Sequence, residues 1–271
     1  MKTGVTLGYN QETREKFQWC VEHDIPTCQL SIPLAMQTEE HIQNIRNLCA
    51  GTGMEITSLI GSTQGPGTYN FRYGPVTLGM VPAAYRGQRF LDYIKNAETA
   101  NALGVPYVNG HMGFIPENPG DPIYTEFLAV MFNLANRFAK LGVGLNFETG
   151  QETPVTLLRV FEDLKMDNLG LNYDPANLLM YGKANPIDGL DIVGRYVRSV
   201  HAKDGLYPTE GYALGKETRL GDGRVNFPVF VAKLKELGYD GALTIEREIS
   251  GEQQREDVLY ANRLLLDLIN A

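Results

Sequence analysis

The sequence predicts an α/β protein in which eight parallel strands alternate with helices and close into one barrel, the (β/α)8 or TIM-barrel architecture. Eight short apolar segments alternate with longer segments of helical periodicity, which is the order expected of a parallel sheet with crossover helices. Eight is also the number of strands that closes such a sheet into a barrel. No Ser/Gly-rich tract, charge block or low-complexity run interrupts the 271 residues. We therefore expect a single TIM-barrel domain over residues 1–271.

Each predicted strand is a short run rich in apolar and β-branched residues. In chain order the strands are Val5–Tyr9, Thr27–Ile32, Glu55–Ile60, Tyr107–His111, Gly144–Glu148, Leu169–Asp174, Val197–Lys203 and Ala242–Glu246. The intervening segments with a 3.6-residue period include Glu12–His23, Thr38–Thr52, Arg89–Leu103, Tyr124–Leu141 and Val229–Leu237, and a last helix is expected over about Gln253–Ile269. A glycine follows directly after Leu103, Leu141 and Leu237, which is typical of a helix C-terminus.

An open doubly wound sheet is the alternative arrangement of the same elements. Such a sheet favours a glycine-rich phosphate loop after its first strand. Here the first strand leads into Gly8-Tyr9-Asn10-Gln11, with neither GxGxxG nor GxxxxGK[ST]. The barrel is therefore favoured, and nucleotide binding of those kinds is not supported. Two long connections, Gly61–Pro82 and Gly205–Phe227, follow the third and seventh strands and should emerge at the mouth of the barrel, where active sites lie.

Composition limits the partners of the chain. Lys and Arg total 24 against 32 Asp and Glu, a formal charge of −8. This balance disfavours nucleic acid and anionic membrane surfaces as partners. The N-terminus has no apolar core typical of a signal peptide, and Cys20, Cys28 and Cys49 form no CxxC pair. These features are typical of a reduced, cytoplasmic protein.

The side-chain alternation of the later strands predicts which polar residues share the inner face of the barrel. Successive strand residues point to opposite faces, so Leu145 and Phe147 share one face while Asn146 and Glu148 share the other. The following strands repeat this pattern. If the apolar set faces the helices, a layer of Asn, Ser and Thr lies inside the barrel beneath a second polar layer at the strand ends. That second layer consists of His111, Glu148, Asp174, His201 and Glu246.

Three carboxylates converging in one cavity would repel each other, and a divalent cation removes that conflict. Glu148, Asp174 and Glu246 offer oxygens and His201 offers one nitrogen, a ligand set compatible with several divalent ions. The predominance of oxygen favours Mn²⁺, with Mg²⁺, Co²⁺ or Zn²⁺ as alternatives. The sequence therefore predicts a site for one divalent metal ion.

The motifs around these residues resemble the xylose isomerase-like superfamily of sugar phosphate isomerases and epimerases. They are Asn146-Phe147-Glu148-Thr149, Asn172-Tyr173-Asp174-Pro175-Ala176-Asn177, Val200-His201-Ala202-Lys203-Asp204 and Thr244-Ile245-Glu246, with Leu220–Phe227 and Leu237–Gly241 leading to the last strand. The resemblance implies metal ligands on strands five to eight, a small carbohydrate substrate and a homo-oligomer. One position departs from it: Asn177 stands where ketose 3-epimerases usually carry a histidine that touches substrate.

The predicted activity is isomerisation or epimerisation of a keto-sugar or related hydroxy-ketone through an ene-diolate. Glu148 and Glu246 come from different strands, so one can remove a proton from carbon while the other returns one. His111, Asn177, Lys203 and Arg219 are the further residues predicted to contact substrate, and Glu248 shares the face of Glu246 beyond the strand end.

Three other functions remain open at this point. The first is a metal-dependent dehydratase or eliminating lyase acting on an inosose or a 3-keto-glycoside. The second is a phosphodiesterase like endonuclease IV, which the acidic charge and the small number of histidines, 4 in all, disfavour. The third is a barrel that binds ligand without catalysis, which an intact set of four ligands disfavours.

Overall fold

A closed barrel of eight parallel strands forms the centre of the computed structural model, which describes all residues from Met1 to Ala271. The barrel strands are β1 (Lys2–Gly8), β2 (Thr27–Ser31), β3 (Glu55–Ile60), β4 (Tyr107–Gly110), β5 (Gly144–Glu148), β6 (Leu169–Tyr173), β7 (Val197–Ala202) and β10 (Ala242–Ile245). Between β7 and β10, the two-residue strands β8 (Asp204–Gly205) and β9 (Glu217–Thr218) form a small antiparallel pair. Pairing of β1 with β10, from Lys2 opposite Ala242 to Val5 opposite Ile245, closes the barrel. The predicted fold is confirmed.

The helices lie around this barrel in the expected alternation. They are α1 (Thr13–Glu22), α2 (Glu39–Thr52), α3 (Gly74–Thr77), α4 (Ala83–Leu103), α5 (Pro122–Lys140), α6 (Pro154–Leu164), α7 (Pro175–Met180), α8 (Pro186–Val193), α9 (Phe227–Glu236) and α10 (Glu252–Asn270). Side-chain oxygens of Thr38, Asp121 and Thr153 accept backbone N–H groups at the starts of α2, α5 and α6. None of the helices combines the length and the apolar composition needed to cross a bilayer.

The largest difference from the predicted boundaries is in α4, which begins at Ala83 and not at Arg89. Residues 83–88 at its start include no buried residue, so the periodic pattern begins only at Arg89, the first residue of the buried face. The Arg89 guanidinium donates to the carbonyl oxygens of Gln64, Gly79 and Pro66, at 3.3, 2.6 and 2.5 Å. Helix α4 therefore holds the long connection after β3 in place at the mouth of the barrel.

The barrel interior is polar and hydrogen-bonded. Asn109 Nδ2 donates to Gln29 Oε1 and to Ser58 Oγ, at 2.9 and 2.8 Å, and Asn146 Nδ2 donates to Asn109 Oδ1 at 3.0 Å. Leu145 and Phe147 lie in the apolar core between sheet and helices. The inward polar layer expected from strand alternation is thus present, and it supports the residues at the strand ends above it.

Candidate metal centre and active site

Glu148, Asp174, His201 and Glu246 meet at the carboxyl ends of four barrel strands. Glu148 ends β5, Asp174 directly follows β6, His201 lies in β7 and Glu246 directly follows β10. One ligand atom from each residue lies within 4.8 Å of the other three. His201 Nδ1 is 3.2 Å from Glu148 Oε1, 3.3 Å from Glu246 Oε2 and 3.4 Å from Asp174 Oδ2. We call these four residues the quartet.

Local hydrogen bonds fix Asp174. Its Oδ1 atom accepts the backbone N–H of Asn177 at 2.8 Å, so the same carboxylate caps the start of α7. The Thr149 hydroxyl accepts from Asp174 N and donates to Asp174 O, both at 2.8 Å. One carboxylate oxygen is therefore committed to the fold, while Oδ2 faces the quartet.

The charges of the quartet are not balanced by the fold alone. Asp174 Oδ2 and His201 Nδ1 are buried without hydrogen-bond partners. His201 Nε2 lies 2.9 Å from Gln29 Oε1 and 3.0 Å from Asn172 Nδ2, and a proton directed at Gln29 would leave the Nδ1 lone pair for a metal ion. Burial lowers the pKa of His201, but Glu246 and Glu148 outweigh it and hold this pKa well above its usual range, so the imidazole is cationic until a metal ion displaces the Nδ1 proton. A lone pair surrounded by three carboxylates is an arrangement that a cation completes. The buried group of four fits a divalent metal ion.

Burial and neighbouring charges act against each other on the pKa values of the three carboxyl groups. Burial raises the pKa of Asp174 above its usual range, despite the opposing effects of Lys203 and His201. Burial also raises the pKa of Glu246, but His201 and Lys203 outweigh it and hold this pKa well below its usual range. In the same way, His111 and His201 outweigh burial and lower the pKa of Glu148.

Lys203, predicted to contact substrate, is buried beside the quartet. Its Nζ atom lies 3.0 Å from Glu246 Oε2, 4.0 Å from Asp174 Oδ2 and 2.9 Å from Glu248 Oε1. Lys203 thus pairs with a carboxylate of the quartet, and its contact with substrate stays a prediction. Glu248 takes part in the same ion-pair cluster although it is largely exposed.

The other predicted substrate contacts divide into two groups. His111 Nε2 lies 3.4 Å from Glu148 Oε1, and Asn177 is buried in the first turn of α7 beside Asp174. Arg219 is not brought to the quartet, because Asp222 pairs with its Nε at 3.0 Å and its guanidinium lies over the Tyr260 ring. Its contact with substrate stays a prediction.

Two residues of the site environment were missed in the sequence. Gln29, which contacts His201, lies on the inward face of β2, and the alternation Thr27-Cys28-Gln29-Leu30 could have indicated it. Asp204 accepts backbone N–H groups of Gly205, Gly221, Gly223 and Val225 at 2.8–3.1 Å. No local pattern indicates this second arrangement, because three of its four donors lie at least 17 residues away.

The comparison with protein families matches this architecture. The family described as xylose isomerase-like TIM barrel matches residues 17–265. The chain belongs to this xylose isomerase-like family. An uncharacterised protein of Methanocaldococcus jannaschii is 29% identical over 163 residues, which are 56% of this chain and 54% of that protein. The chain thus spans about half the length of that relative.

Several solved structures superpose over nearly the whole chain. A xylose isomerase domain protein from Planctomyces limnophilus is 35% identical, with a TM-score of 0.91 over 98% of this chain and 96% of that one. A D-tagatose 3-epimerase-like protein is 21% identical, with a TM-score of 0.75 over 100% and 97%. A probable 3-DHS dehydratase from Bacillus anthracis is 16% identical, with a TM-score of 0.72 over 98% and 99%. The last two proteins share the fold of this chain, but their names describe two different reactions.

Proposed function

We propose that this chain is a divalent-metal-dependent isomerase or epimerase of a keto-sugar or related hydroxy-ketone. The observation that carries the proposal is the pair of unpartnered atoms, His201 Nδ1 and Asp174 Oδ2, facing Glu148 and Glu246 at the mouth of the barrel. Residues Glu148, Asp174, His201 and Glu246 would hold the metal ion. The three carboxylate ligands favour Mn²⁺ over Zn²⁺, with Mg²⁺ and Co²⁺ as further candidates.

The two glutamates are the proposed acid and base. When bound, the ion would act as a Lewis acid that polarises a substrate carbonyl and acidifies the adjacent C–H bond. Glu148 uses Oε1 and Glu246 uses Oε2 toward His201, which leaves each glutamate one oxygen for a proton. Strands β6 and β7 separate β5 from β10, so the two carboxylates approach substrate from different sides. One removes the proton and the other returns one, which inverts or relocates a stereocentre.

Polar side chains around the glutamates would orient the substrate. Lys203 is within hydrogen-bond distance of Glu246 and can donate a further N–H to a substrate oxygen. His111 borders Glu148 and can bind a second oxygen. The Asn177 amide can bind a hydroxyl but cannot transfer a proton at neutral pH. Proton transfer is therefore assigned to the glutamates.

Elimination is the second candidate function, and it is favoured by the name of one structural neighbour, a probable 3-DHS dehydratase. If a group at the β-carbon departs after proton removal, its oxygen needs a proton, and the glutamate that has just taken the proton from carbon can return it there. The substrate would then be an inosose that loses water or a 3-keto-glycoside that loses its aglycone.

Deuterium exchange distinguishes these reactions. The chain, supplemented with Mn²⁺, is incubated in D₂O with a panel of ketoses, inososes and 3-keto sugars, and the products are followed by NMR. Deuterium at the carbon next to the carbonyl with unchanged composition is the result expected for an isomerase or epimerase. Loss of water or aglycone would assign the lyase. Absence of exchange, together with absence of bound metal by elemental analysis, contradicts both.

Replacement of one glutamate tests its role. Glu246→Gln removes a ligand charge and a proton acceptor while keeping the size of the side chain. We expect the exchange rate to fall by about a thousandfold. Glu55→Gln is the matched control, because Glu55 pairs with Lys2 on the surface at the other end of the barrel and should leave the rate unchanged. A Glu246→Gln variant with the wild-type rate contradicts the assignment.

A further inference from the structure

Three neighbouring side chains beside the quartet carry polar atoms that the fold leaves without partners. Gln151, Glu152 and Tyr181 are 1%, 1% and 4% exposed. Gln151 Nε2, both Glu152 carboxylate oxygens and the Tyr181 hydroxyl make no well-aligned hydrogen bond within the fold. Unpaired buried polar atoms reduce stability, so their occurrence calls for an explanation. Of the ten such atoms in the chain, four lie on these three residues and two more belong to the quartet.

His111 connects Gln151 to the quartet, and the Tyr181 ring lies beside Gly150, the residue before Gln151. His111 Nδ1 lies 3.2 Å from Gln151 Oε1, while His111 Nε2 lies 3.4 Å from Glu148 Oε1. Burial raises the pKa of Tyr181 to about 12, the adjacent Gln151 side chain lowers it and the nearby Glu152 charge raises it. The Tyr181 ring is held edge-on by Phe71 and Phe114, with centroids 6.1 and 5.9 Å away.

The chemistry of these groups fits hydroxyl ligands. An amide N–H donates, a phenol both donates and accepts, and carboxyl oxygens accept, so the three together can satisfy several sugar hydroxyls. Burial raises the pKa of Glu152 to about 8, so its carboxyl is largely protonated at neutral pH. The nearby cation, Lys183, already pairs with Glu117 at 3.2 Å. A phosphate dianion would find carboxyl oxygens here, and none of the three residues carries a positive charge.

We propose that Gln151, Glu152 and Tyr181 form a subsite that binds the hydroxyl groups of an uncharged, unphosphorylated sugar whose carbonyl end faces the quartet. The inference rests on the proposed function, because it assumes a hydroxy-ketone at the quartet. It assigns the substrate class: the free sugar and not its phosphate ester.

Paired substrates test the assignment. Each ketose of the exchange panel is measured beside its phosphate ester with the Mn²⁺-supplemented full chain, beginning with D-tagatose and D-tagatose 6-phosphate. The kcat/KM for exchange should be at least about tenfold higher for the free sugar. Tyr181→Phe and Glu152→Gln should each raise the KM for the free sugar by about tenfold, with a smaller change in kcat. Faster exchange with the phosphate esters would overturn the subsite. A wild-type KM in both variants would also overturn it. Either result leaves the proposed function in place.

A stability measurement tests the subsite without any turnover. Tyr124 is as buried as Tyr181, but its hydroxyl donates to Asp163 Oδ2 at 2.7 Å. Tyr124→Phe should therefore lower the urea midpoint of the metal-free chain, whereas Tyr181→Phe should leave it unchanged or raise it. An equal loss in both variants means that the Tyr181 hydroxyl has a partner in the fold, which overturns the subsite. The comparison of urea midpoints remains valid even if no sugar exchanges deuterium. Absence of deuterium exchange would overturn the proposed function alone.

Discussion

Gln29 illustrates how a single side chain in the barrel interior orients a ligand far away in sequence. Its Nε2 donates to Asn172 Oδ1 at 3.1 Å, which turns its carbonyl oxygen toward His201 Nε2, 2.9 Å away. With the imidazole proton on Nε2, the Nδ1 lone pair is directed to the three carboxylates. Gln29 thus favours the metal-binding form of His201 from a position 172 residues earlier in the chain, while Asn172 Nδ2 lies 3.0 Å from the same Nε2 atom.

Gln29→Met tests this arrangement, because methionine keeps the length of the side chain and removes the acceptor. We expect the Kd for Mn²⁺, measured by titration calorimetry on the full chain, to rise by about 10- to 100-fold. Gln37→Met is the matched control: Gln37 is also buried and bonds Ile32 O and Asn96 Oδ1, in a network separate from the quartet. Equal Mn²⁺ affinities in the two variants would refute a role for Gln29 in orienting His201.

At the scale of elements, the strands were predictable and the connections between them were not. Alternation in β5, β6, β7 and β10 directs every second side chain inward, so the sequence predicts which residues of the quartet share the barrel axis. It could not predict that Arg219 turns away from the quartet toward Asp222 and Tyr260, because loop side chains follow tertiary contacts. The roles of the individual residues, the homo-oligomeric state and the cytoplasmic location stay predictions.

The connection between β7 and β10 depends on Asp204. Both carboxylate oxygens accept two backbone N–H groups each, which fold the segment 205–226 around one side chain. In β9 of this segment, the Glu217 carboxylate accepts the Glu248 N–H at 3.1 Å and pairs with Arg247 at 3.0 Å. The connection thereby supports the residues that directly follow Glu246.

Asp204→Asn should loosen this connection, because an amide has one acceptor oxygen and two N–H groups then lose theirs. We expect a loss of about 2 kcal/mol in the free energy of unfolding and several-fold faster cleavage by trypsin at Lys216, Arg219 or Arg224. Asp222→Asn is the control within the same segment, since Asp222 is exposed and pairs with Arg219 alone. Equal cleavage rates in the two variants would show that Asp204 does not hold the segment.

For the whole molecule, the arrangement of the quartet favours metal binding and lowers the stability of the metal-free protein. The fold supplies Asp174 Oδ2 with no hydrogen bond, and burial raises the pKa of this carboxyl. A cation that binds only the folded state compensates for this cost and adds about 2.7 kcal/mol at a concentration of 100 times its Kd. The metal-free protein should therefore be the less stable form.

Asp174→Asn separates the two effects. Asparagine keeps the oxygen that caps α7, and its amide can donate to Glu148 or Glu246, so the metal-free variant should be at least as stable as wild type. Its urea midpoint should no longer rise with Mn²⁺, because a ligand charge is lost. Asp121→Asn, at the half-buried cap of α5, should respond to Mn²⁺ as wild type does. A metal-free Asp174→Asn chain that is less stable than wild type would mean that Lys203 and His201 already stabilise the carboxylate, and the argument from the unpartnered Asp174 Oδ2 would fail.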